Sequence, residues 1–230
     1  MQSVKKILIF GSVLFISSAF GQTPKTETWF SIQLPVALSP KWQWHNDVGY
    51  RTIGSSLNLY QYLYRTGVRK IITKNWSAAT GVAFFSTRAS YQKEDHVFGN
   101  EFRIWHEINH QQMAGGSANF QNRLRIEERF FQQAGDEEAY NALRLRYRTG
   151  ITQKLTSNWS MQIADEYMQQ LSKADFNFNQ NRLMFSVIRT IKQQVQLQAG
   201  YMWLLRSNSS QHILTIAFQK IIELNGNRDN

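Results

Sequence analysis

The sequence contains no cysteine among its 230 residues and only three prolines. Without cysteine there is no disulfide framework, no thiolate metal site and no residue for the lipid attachment of a lipoprotein. Long hydrophobic runs are also missing, since no segment beyond the N-terminus approaches the roughly eighteen apolar residues of a spanning helix. If the chain enters a membrane, we expect a closed barrel, because lipid offers no partner to unpaired backbone groups.

The first residues have the three parts of a secretory signal peptide. A pair of lysines precedes an apolar stretch at 7–16, and small residues follow at Ala19 and Gly21. The stretch is about half as long as the roughly twenty residues that a spanning helix needs. We therefore predict a signal peptide at 1–21, cleaved after Gly21, and one all-β domain at 22–230.

The chain is basic, with 26 lysines and arginines against 16 acidic residues and a formal net charge of +10. Such a balance indicates a partner that is nucleic acid, anionic lipid or an anionic solute. An exported protein rarely meets nucleic acid. The predicted partners are therefore outer-membrane lipid and small anionic solutes, with no nucleic acid and no cofactor.

The hydrophobic pattern has period two, which is typical of strands and not of helices. From Leu143 to Ile151, apolar side chains alternate with Arg144, Arg146 and Arg148. Successive side chains of a strand point to opposite faces, so this segment has one apolar and one cationic face. The same alternation recurs along the chain and predicts a single antiparallel up-and-down transmembrane β-barrel.

The alternation also locates the strands. Eleven segments show the pattern, at approximately 28–38, 41–53, 57–72, 76–89, 99–112, 118–132, 139–154, 159–171, 178–191, 195–206 and 211–224. Because an odd number of strands is unusual for a bacterial barrel, we predict ten to twelve strands.

A short polar turn closed by tryptophan recurs as Ser-Pro-Lys-Trp42, Thr-Lys-Asn-Trp76 and Thr-Ser-Asn-Trp159. Degenerate copies, Ser-Ala-Asn and Lys-Gln-Gln, lead into Phe120 and Val195. Short turns that alternate with longer polar connections are typical of outer-membrane barrels. The three tryptophans and Phe120 then form a predicted aromatic girdle at head-group depth. The alternative is that each tryptophan begins a hairpin in a soluble core.

Two segments, Phe102–Glu107 and Asn122–Phe130, are rich in charge, and the second contains the pattern Arg-x-Arg-x-Glu-x-Arg. Together with the turn-tryptophan hairpins and the chain length, they resemble an uncharacterised outer-membrane β-barrel family, a domain of unknown function. The resemblance covers essentially the whole mature chain. It implies an outer-membrane location and a barrel architecture, and it implies no activity.

Charged residues share the polar parity of neighbouring strands. On a lipid face each would cost roughly 2 to 4 kcal/mol near the midplane, so in a membrane barrel they must face the lumen. There, arginines can pair laterally with carboxylates. With eight arginines against four glutamates, the ladder predicts either a salt-bridged filling or a constriction that attracts anions. The lumen-lining ladder comprises Glu101, Arg103, Glu107, Arg123, Arg125, Glu127, Arg129, Arg144, Arg146, Arg148, Glu166 and Arg182.

The segment from His106 to His110 matches the zinc-peptidase pattern H-E-x-x-H. That pattern needs a helix, which brings the two imidazoles together. A strand instead separates them by roughly 13 Å at about 3.3 Å per residue. There is also no G-x-S-x-G nucleophile elbow. We therefore predict no metal site and no catalytic residue.

Four charged or ionisable residues fall on the apolar face: His106, Glu128, Asp165 and Arg189. They leave alternatives open, because a soluble barrel uses the same alternation with its apolar face inside. The first hypothesis is a porin-like barrel of a Gram-negative outer membrane with a narrow or closed pore. The second is a soluble periplasmic barrel that binds an apolar ligand, and the third is an outer-membrane surface hydrolase.

Overall fold

The computed structural model describes residues 26–53, 58–88, 97–135, 138–172 and 175–224. Within these ranges the regular elements are strands. No helix in this part of the chain is long and apolar enough to cross a membrane. The predicted signal peptide, 1–21, lies outside the described residues.

Thirteen strands follow one another along the described chain, and eleven of them are long. Each long strand corresponds to one predicted segment, and the two short ones prolong β1 and β12. The strands are β1 (Thr26–Gln33), β2 (Val36–Ala37), β3 (Trp42–Ile53), β4 (Asn58–Ile71), β5 (Trp76–Arg88), β6 (Phe98–Ala114), β7 (Ala118–Phe131), β8 (Tyr140–Lys154), β9 (Trp159–Ser172), β10 (Asp175–Lys192), β11 (Val195–Arg206), β12 (Ser209–Lys220) and β13 (Ile222–Glu223).

The strands form one closed barrel. From β3 to β12 each strand pairs antiparallel with the next, and β1 closes the sheet between β3 and β12. The β1–β12 pair is parallel, because the first and last of eleven alternating strands run in the same direction. The prediction of a single all-β barrel of ten to twelve strands is confirmed. The prediction that all strand pairs are antiparallel is wrong for the closing pair. The parallel pair explains how an odd number of strands closes.

The closing seam keeps one register over its whole length. Thr26 lies opposite His212, and Val36 lies opposite Ile222, which is the same offset (212 − 26 = 186; 222 − 36 = 186). Pro35, which has no N–H, separates β1 from β2. Across that gap the Ile222 N–H donates to the Pro35 carbonyl at 2.8 Å, so the seam continues past the proline.

Three of the short turns are built alike. The Ser or Thr that opens the turn accepts a hydrogen bond from the N–H of the tryptophan three positions later, a local bond typical of these residues in turns. The distances are 3.2 Å for Trp42 and Ser39, 3.1 Å for Trp76 and Thr73, and 3.1 Å for Trp159 and Thr156. The recurring sequence motif therefore has a local structural cause.

The hairpin before Phe120 differs from the prediction. Its turn lies at Gly115–Ser117, and Phe120 is the third residue of β7. Gly115 and Gly116 have positive φ angles of 60° and 76°, which favour glycine and suit a tight hairpin. The predicted turn at Ser117–Asn119 is therefore wrong, because the glycines fix the turn position.

The alternation places apolar side chains on the outer face and charged ones inside. On β8, Leu145 and Tyr147 are 37% and 47% exposed, whereas Arg144 and Arg146 are 5% and 6% exposed. Each of the eleven long strands has exposed large apolar side chains on its outer face. The exterior of the barrel is therefore apolar, and its interior is charged.

A bulge between β3 and β4 interrupts this alternation. The register between β3 and β4 shifts where Arg51 pairs with Gln61 and Thr52 pairs with Leu59. A bulge places two residues of one strand opposite one residue of the other, so it interrupts the strict alternation at this point of the β3–β4 pair.

Candidate functional site

All twelve residues of the predicted charge ladder lie on β6 to β10, and each is buried or half-buried. The register brings acids and arginines together on adjacent strands. Glu107 lies opposite Arg125, and Glu127 lies opposite Arg144. These residues are named here the Arg/Glu network.

The same register also places arginines against arginines. Arg125 lies opposite Arg146, and Arg123 lies opposite Arg148. Like charges in direct opposition destabilise a sheet. The network therefore depends on glutamates that contact several guanidinium groups at once.

Glu127 is the most shared carboxylate of the network and is 2% exposed. Arg144 Nε and Arg146 Nη1 donate hydrogen bonds to it at 2.9 and 2.6 Å. Arg103 and Arg125 add ion pairs with N–O distances of 3.6 and 3.5 Å. One negative charge is thus surrounded by four positive ones, contributed by β6, β7 and β8.

Glu166 on β9 is also shared. Arg146 Nη2 donates to Glu166 Oε1 at 2.8 Å, and Arg182 Nη1 lies 3.5 Å from Glu166 Oε2. Arg123 reaches the same carboxylate from β7, two strands away. Arg146 contacts both Glu127 and Glu166, so it joins the two carboxylates into one cluster.

Glu107 extends the network in the other direction. Arg125 Nη2 donates to Glu107 Oε2 at 2.5 Å, and Arg123 Nη1 lies 3.8 Å from that oxygen. Arg69 on β4 lies 3.5 Å from Glu107 Oε1. At the edge of the network, Glu101 pairs with one ladder arginine of β6 and one of β7. The ion pairs therefore run without interruption from β4 to β10.

Several lumen residues were not in the predicted ladder. Arg69 joins the network, Arg65 pairs with Asp47, and the Arg51 guanidinium lies 3.7 Å from the centre of the Trp29 ring. Arg65 and Arg69 share the polar parity of β4, so the period-two pattern could have identified them.

Trp105 fills part of the lumen beside the network. It lies next to two facing glycines, Gly67 and Gly81, and a Cβ added at either would lie 2.6 Å from Trp105 Cζ2. The Arg125 guanidinium lies 4.9 Å from the centre of the Trp105 ring. The glycines therefore provide the space that this indole occupies inside the wall.

On the opposite wall the lumen is filled by apolar side chains. Met202, Leu204 and Ile213 are buried together, with Trp29 packed against them. The Trp29 Nε1–H donates to the buried Glu27 carboxylate at 2.7 Å. This cluster and the Arg/Glu network together fill much of the lumen.

A cavity of about 610 Å³ remains on the short-turn side of the network. It reaches the turn residues Thr73–Trp76, and Arg69, Arg123 and Arg148 lie on its inner boundary. The lumen therefore has a part filled by side chains and an open cavity on the short-turn side.

The H-E-x-x-H segment lies on β6, so the predicted strand is confirmed. His106 is on the outer face, with its Nδ1 2.9 Å from Thr80 Oγ1, and the ring centre of His110 is 4.5 Å from that of Trp76. Within the described ranges, no group of three or more His, Cys, Asp or Glu residues could hold a metal ion.

The predicted girdle residues Trp42, Trp76, Phe120 and Trp159 are all exposed near the short-turn end. The Arg189 guanidinium lies 5.3 Å from the centre of the Trp159 ring, so this charge lies at the short-turn end of the barrel.

The other charges predicted on the outer face lie further from the short turns. Asp165 accepts a hydrogen bond from Asn181 at 2.9 Å, and Glu128 lies between Ile104 and Leu143. These two carboxylates keep their outward direction in the structure.

Taken together, the fold and the lumen define a closed β-barrel with an apolar exterior and an ion-paired interior. The family model described as "Protein of unknown function (DUF2490)" matches residues 26–213, and the chain belongs to this family. The resemblance to an uncharacterised family is thereby confirmed. No curated protein and no solved structure matches the chain.

Proposed function

We propose that this protein is an outer-membrane β-barrel of a Gram-negative bacterium whose lumen is held closed by the Arg/Glu network. The observation that supports it most strongly is the direction of the alternation. Large apolar side chains are exposed on every long strand, while the ladder arginines and glutamates lie inside. A water-soluble barrel requires the opposite arrangement.

The apolar exterior is too extensive for a surface in water. Soluble monomers rarely expose apolar patches larger than a few hundred Å². Here the exposed apolar side chains encircle the barrel, from Ile32 on β1 to Ile216 on β12. A bilayer would cover this belt, and its head-group region suits the tryptophans that follow the short turns.

Strand length agrees with this proposal. The ten long strands after β1 have 12 to 18 residues each. A tilted strand needs about 9 to 11 residues to cross the hydrocarbon core. The eight residues of β1 are continued by β2, so the seam also reaches across.

The lumen is proposed to conduct little in its resting form. A hydrated pore requires a continuous path, and buried side chains of the Arg/Glu network, Trp105 and the Met202–Leu204–Ile213 cluster fill part of the lumen. If the network separates, the surplus of arginine favours anions. The protein is thus a structural barrel or a gated narrow pore, and we propose a non-enzymatic role.

Three histidines on the outer face of the described strands support a non-enzymatic role. His106 contacts Thr80, His110 contacts Trp76, and His212 contacts Tyr201. None of these contacts joins a histidine to a carboxylate, which a hydrolase would use to orient its catalytic base.

Planar-bilayer conductance tests the closed lumen. The wild-type protein should insert and pass little steady current. The double variant Glu127→Ala/Arg144→Ala removes one charge pair without changing the net charge and should raise the current severalfold. Tyr147→Ala, on the outer face of the same strand as Arg144, should leave it unchanged. A large wild-type current, or equal currents in all three proteins, would contradict the proposal.

A further inference from the structure

The cavity on the short-turn side of the lumen has an unusual lining. Ten of its side chains are amides of asparagine or glutamine. Four are cationic: Lys74 at the mouth, and Arg69, Arg123 and Arg148 on the inner boundary. Among the described residues that line it there is no aspartate or glutamate. The cavity is therefore cationic and rich in groups that both donate and accept hydrogen bonds.

The carboxylates that balance two of these arginines lie behind them. Arg69 pairs with Glu107, and Arg123 pairs with both Glu107 and Glu166. The side chains of both glutamates are only 2% exposed, and neither lines the cavity. The guanidinium groups therefore form the face of the Arg/Glu network toward the cavity.

Arg148 is less compensated than its neighbours. In the described part of the chain it forms no ion pair within 4.0 Å, and its Nη2 donates to Gln162 Oε1 at 3.2 Å. It lies directly opposite Arg123, whose Nε is buried without a hydrogen-bond partner. Two facing arginines with unused hydrogen-bond donors can bind an oxyanion between them, since guanidinium groups match the geometry of phosphate and carboxylate.

The amides add a second kind of recognition. Gln121 and Gln162 are joined by a hydrogen bond of 3.1 Å on the cavity wall, next to Arg148. Side chains that both donate and accept suit hydroxyl groups, which do the same. The volume of about 610 Å³ falls within the range of about 300 to 1,000 Å³ that small-molecule sites occupy.

We propose that this cavity binds a small hydroxylated oxyanion, with its anionic group between Arg123 and Arg148 and its hydroxyls on the surrounding amides. A sugar phosphate and a sugar carboxylate both have this chemistry. The site is formed by the barrel alone, so the proposal is independent of where the barrel resides and of whether it conducts.

Isothermal titration calorimetry on the refolded mature protein in detergent tests it, with glucose 6-phosphate, glucuronate, inorganic phosphate and glucose as probes. At least one of the two sugar anions should bind with one-to-one saturation, more tightly than inorganic phosphate, and glucose should bind at least tenfold more weakly. A preference between glucose 6-phosphate and glucuronate identifies the anionic group.

Variants locate the site. Arg148→Gln should weaken binding of the sugar anion about tenfold, which corresponds to the loss of one charged contact. Arg148→Lys, which keeps the charge, should weaken it less. Arg206→Gln is the matched control, because Arg206 is exposed at the other end of β11 and the charge change is identical. Each variant is first checked for folding by its far-UV circular dichroism spectrum.

Three results would overturn the proposal. One is no saturable binding of either sugar anion by the wild-type protein up to about 10 mM. Another is equal loss of affinity in Arg148→Gln and Arg206→Gln, which would indicate a general charge effect. The third is glucose bound as tightly as the sugar anions, which would remove the role of the arginine pair.

Discussion

At the residue scale, the network depends on a few carboxylates that each serve several arginines. Glu127 contacts four guanidinium groups, and two of them, Arg125 and Arg146, also lie directly opposite one another. Breaking a buried ion pair by removing one partner is strongly destabilising, because it leaves an uncompensated charge. The loss of one glutamate therefore affects a whole group of arginines.

The variant Glu127→Gln tests this dependence, and the chain offers a neighbouring control. Glu127→Gln should lower the free energy of unfolding by roughly 3 to 5 kcal/mol, since four arginines lose their shared negative charge. Glu128→Gln removes the same charge one residue later, on the outer face, where a charge is unfavourable in lipid. It should leave stability unchanged or raise it. The measurement is urea-induced unfolding of the refolded protein in lipid vesicles, followed by tryptophan fluorescence. Equal losses in the two variants would contradict the account.

That the ladder residues share one face could be predicted from parity alone, whereas the direction of that face and the partners of each residue could not. Arg123 contacts Glu166 two strands away, and this distance depends on the tilt and curvature of the barrel. Parity assigns a side chain to a face and contains no information about its height on the neighbouring strand. The amide-lined cavity was missed for a similar reason, because its side chains are dispersed over many strands with one or two on each.

At the element scale, the short turns have a mechanism that is visible in the sequence. The opening Ser or Thr accepts the N–H of the tryptophan that begins the next strand, as Thr156 does for Trp159. The tryptophan is thereby held at the first position of its strand and on the outer face. A motif of four residues thus determines both where a hairpin begins and which face its aromatic ring occupies.

Removal of one such hydroxyl should weaken its hairpin. Thr156→Val keeps the shape of the side chain but cannot accept the Trp159 N–H, and we expect a loss of about 1 kcal/mol in the free energy of unfolding. Ser157→Ala alters the next turn residue and leaves this hydrogen bond in place, so its effect should be smaller. Urea unfolding of the two variants side by side measures the difference. A larger loss for Ser157→Ala would show that the hydroxyl bond is not what stabilises the turn.

Most strand positions followed from the alternation, because one face of every long strand is apolar. Two features did not follow. The bulge near Tyr60 depends on the relative register of β3 and β4, and the turn at Gly115–Ser117 depends on two positive φ angles that the turn-tryptophan motif does not specify. Both are local changes of register, which a period-two pattern does not specify.

At the scale of the whole molecule, the parallel seam is the feature that closes eleven strands into a barrel. Because the chain has no cysteine, the seam can be tested by engineered disulfides. Ser31 on β1 lies opposite Ala217 on β12 in the parallel register. Ser31→Cys/Ala217→Cys should form a disulfide on mild oxidation of the folded protein, since paired residues lie within the usual Cα range for such bonds.

The matched control moves the two cysteines out of register on the same strands. Gln33→Cys/Thr215→Cys places them four residues apart along the seam, because Gln33 lies opposite Gln219 and Trp29 lies opposite Thr215. Their separation of roughly 13 Å exceeds what a disulfide can bridge. Peptide mass spectrometry after oxidation distinguishes the two pairs. Efficient bridging in the control and none in the test pair would contradict the parallel register.

The central claim is that the apolar exterior faces the lipid of an outer membrane. Isolated outer membranes, compared by gel electrophoresis of boiled and unboiled samples, test it most directly. We expect the protein in this fraction, with an unboiled form that migrates as a compact, heat-modifiable species. Its recovery in the soluble periplasmic fraction, with the same migration before and after boiling, would contradict the account.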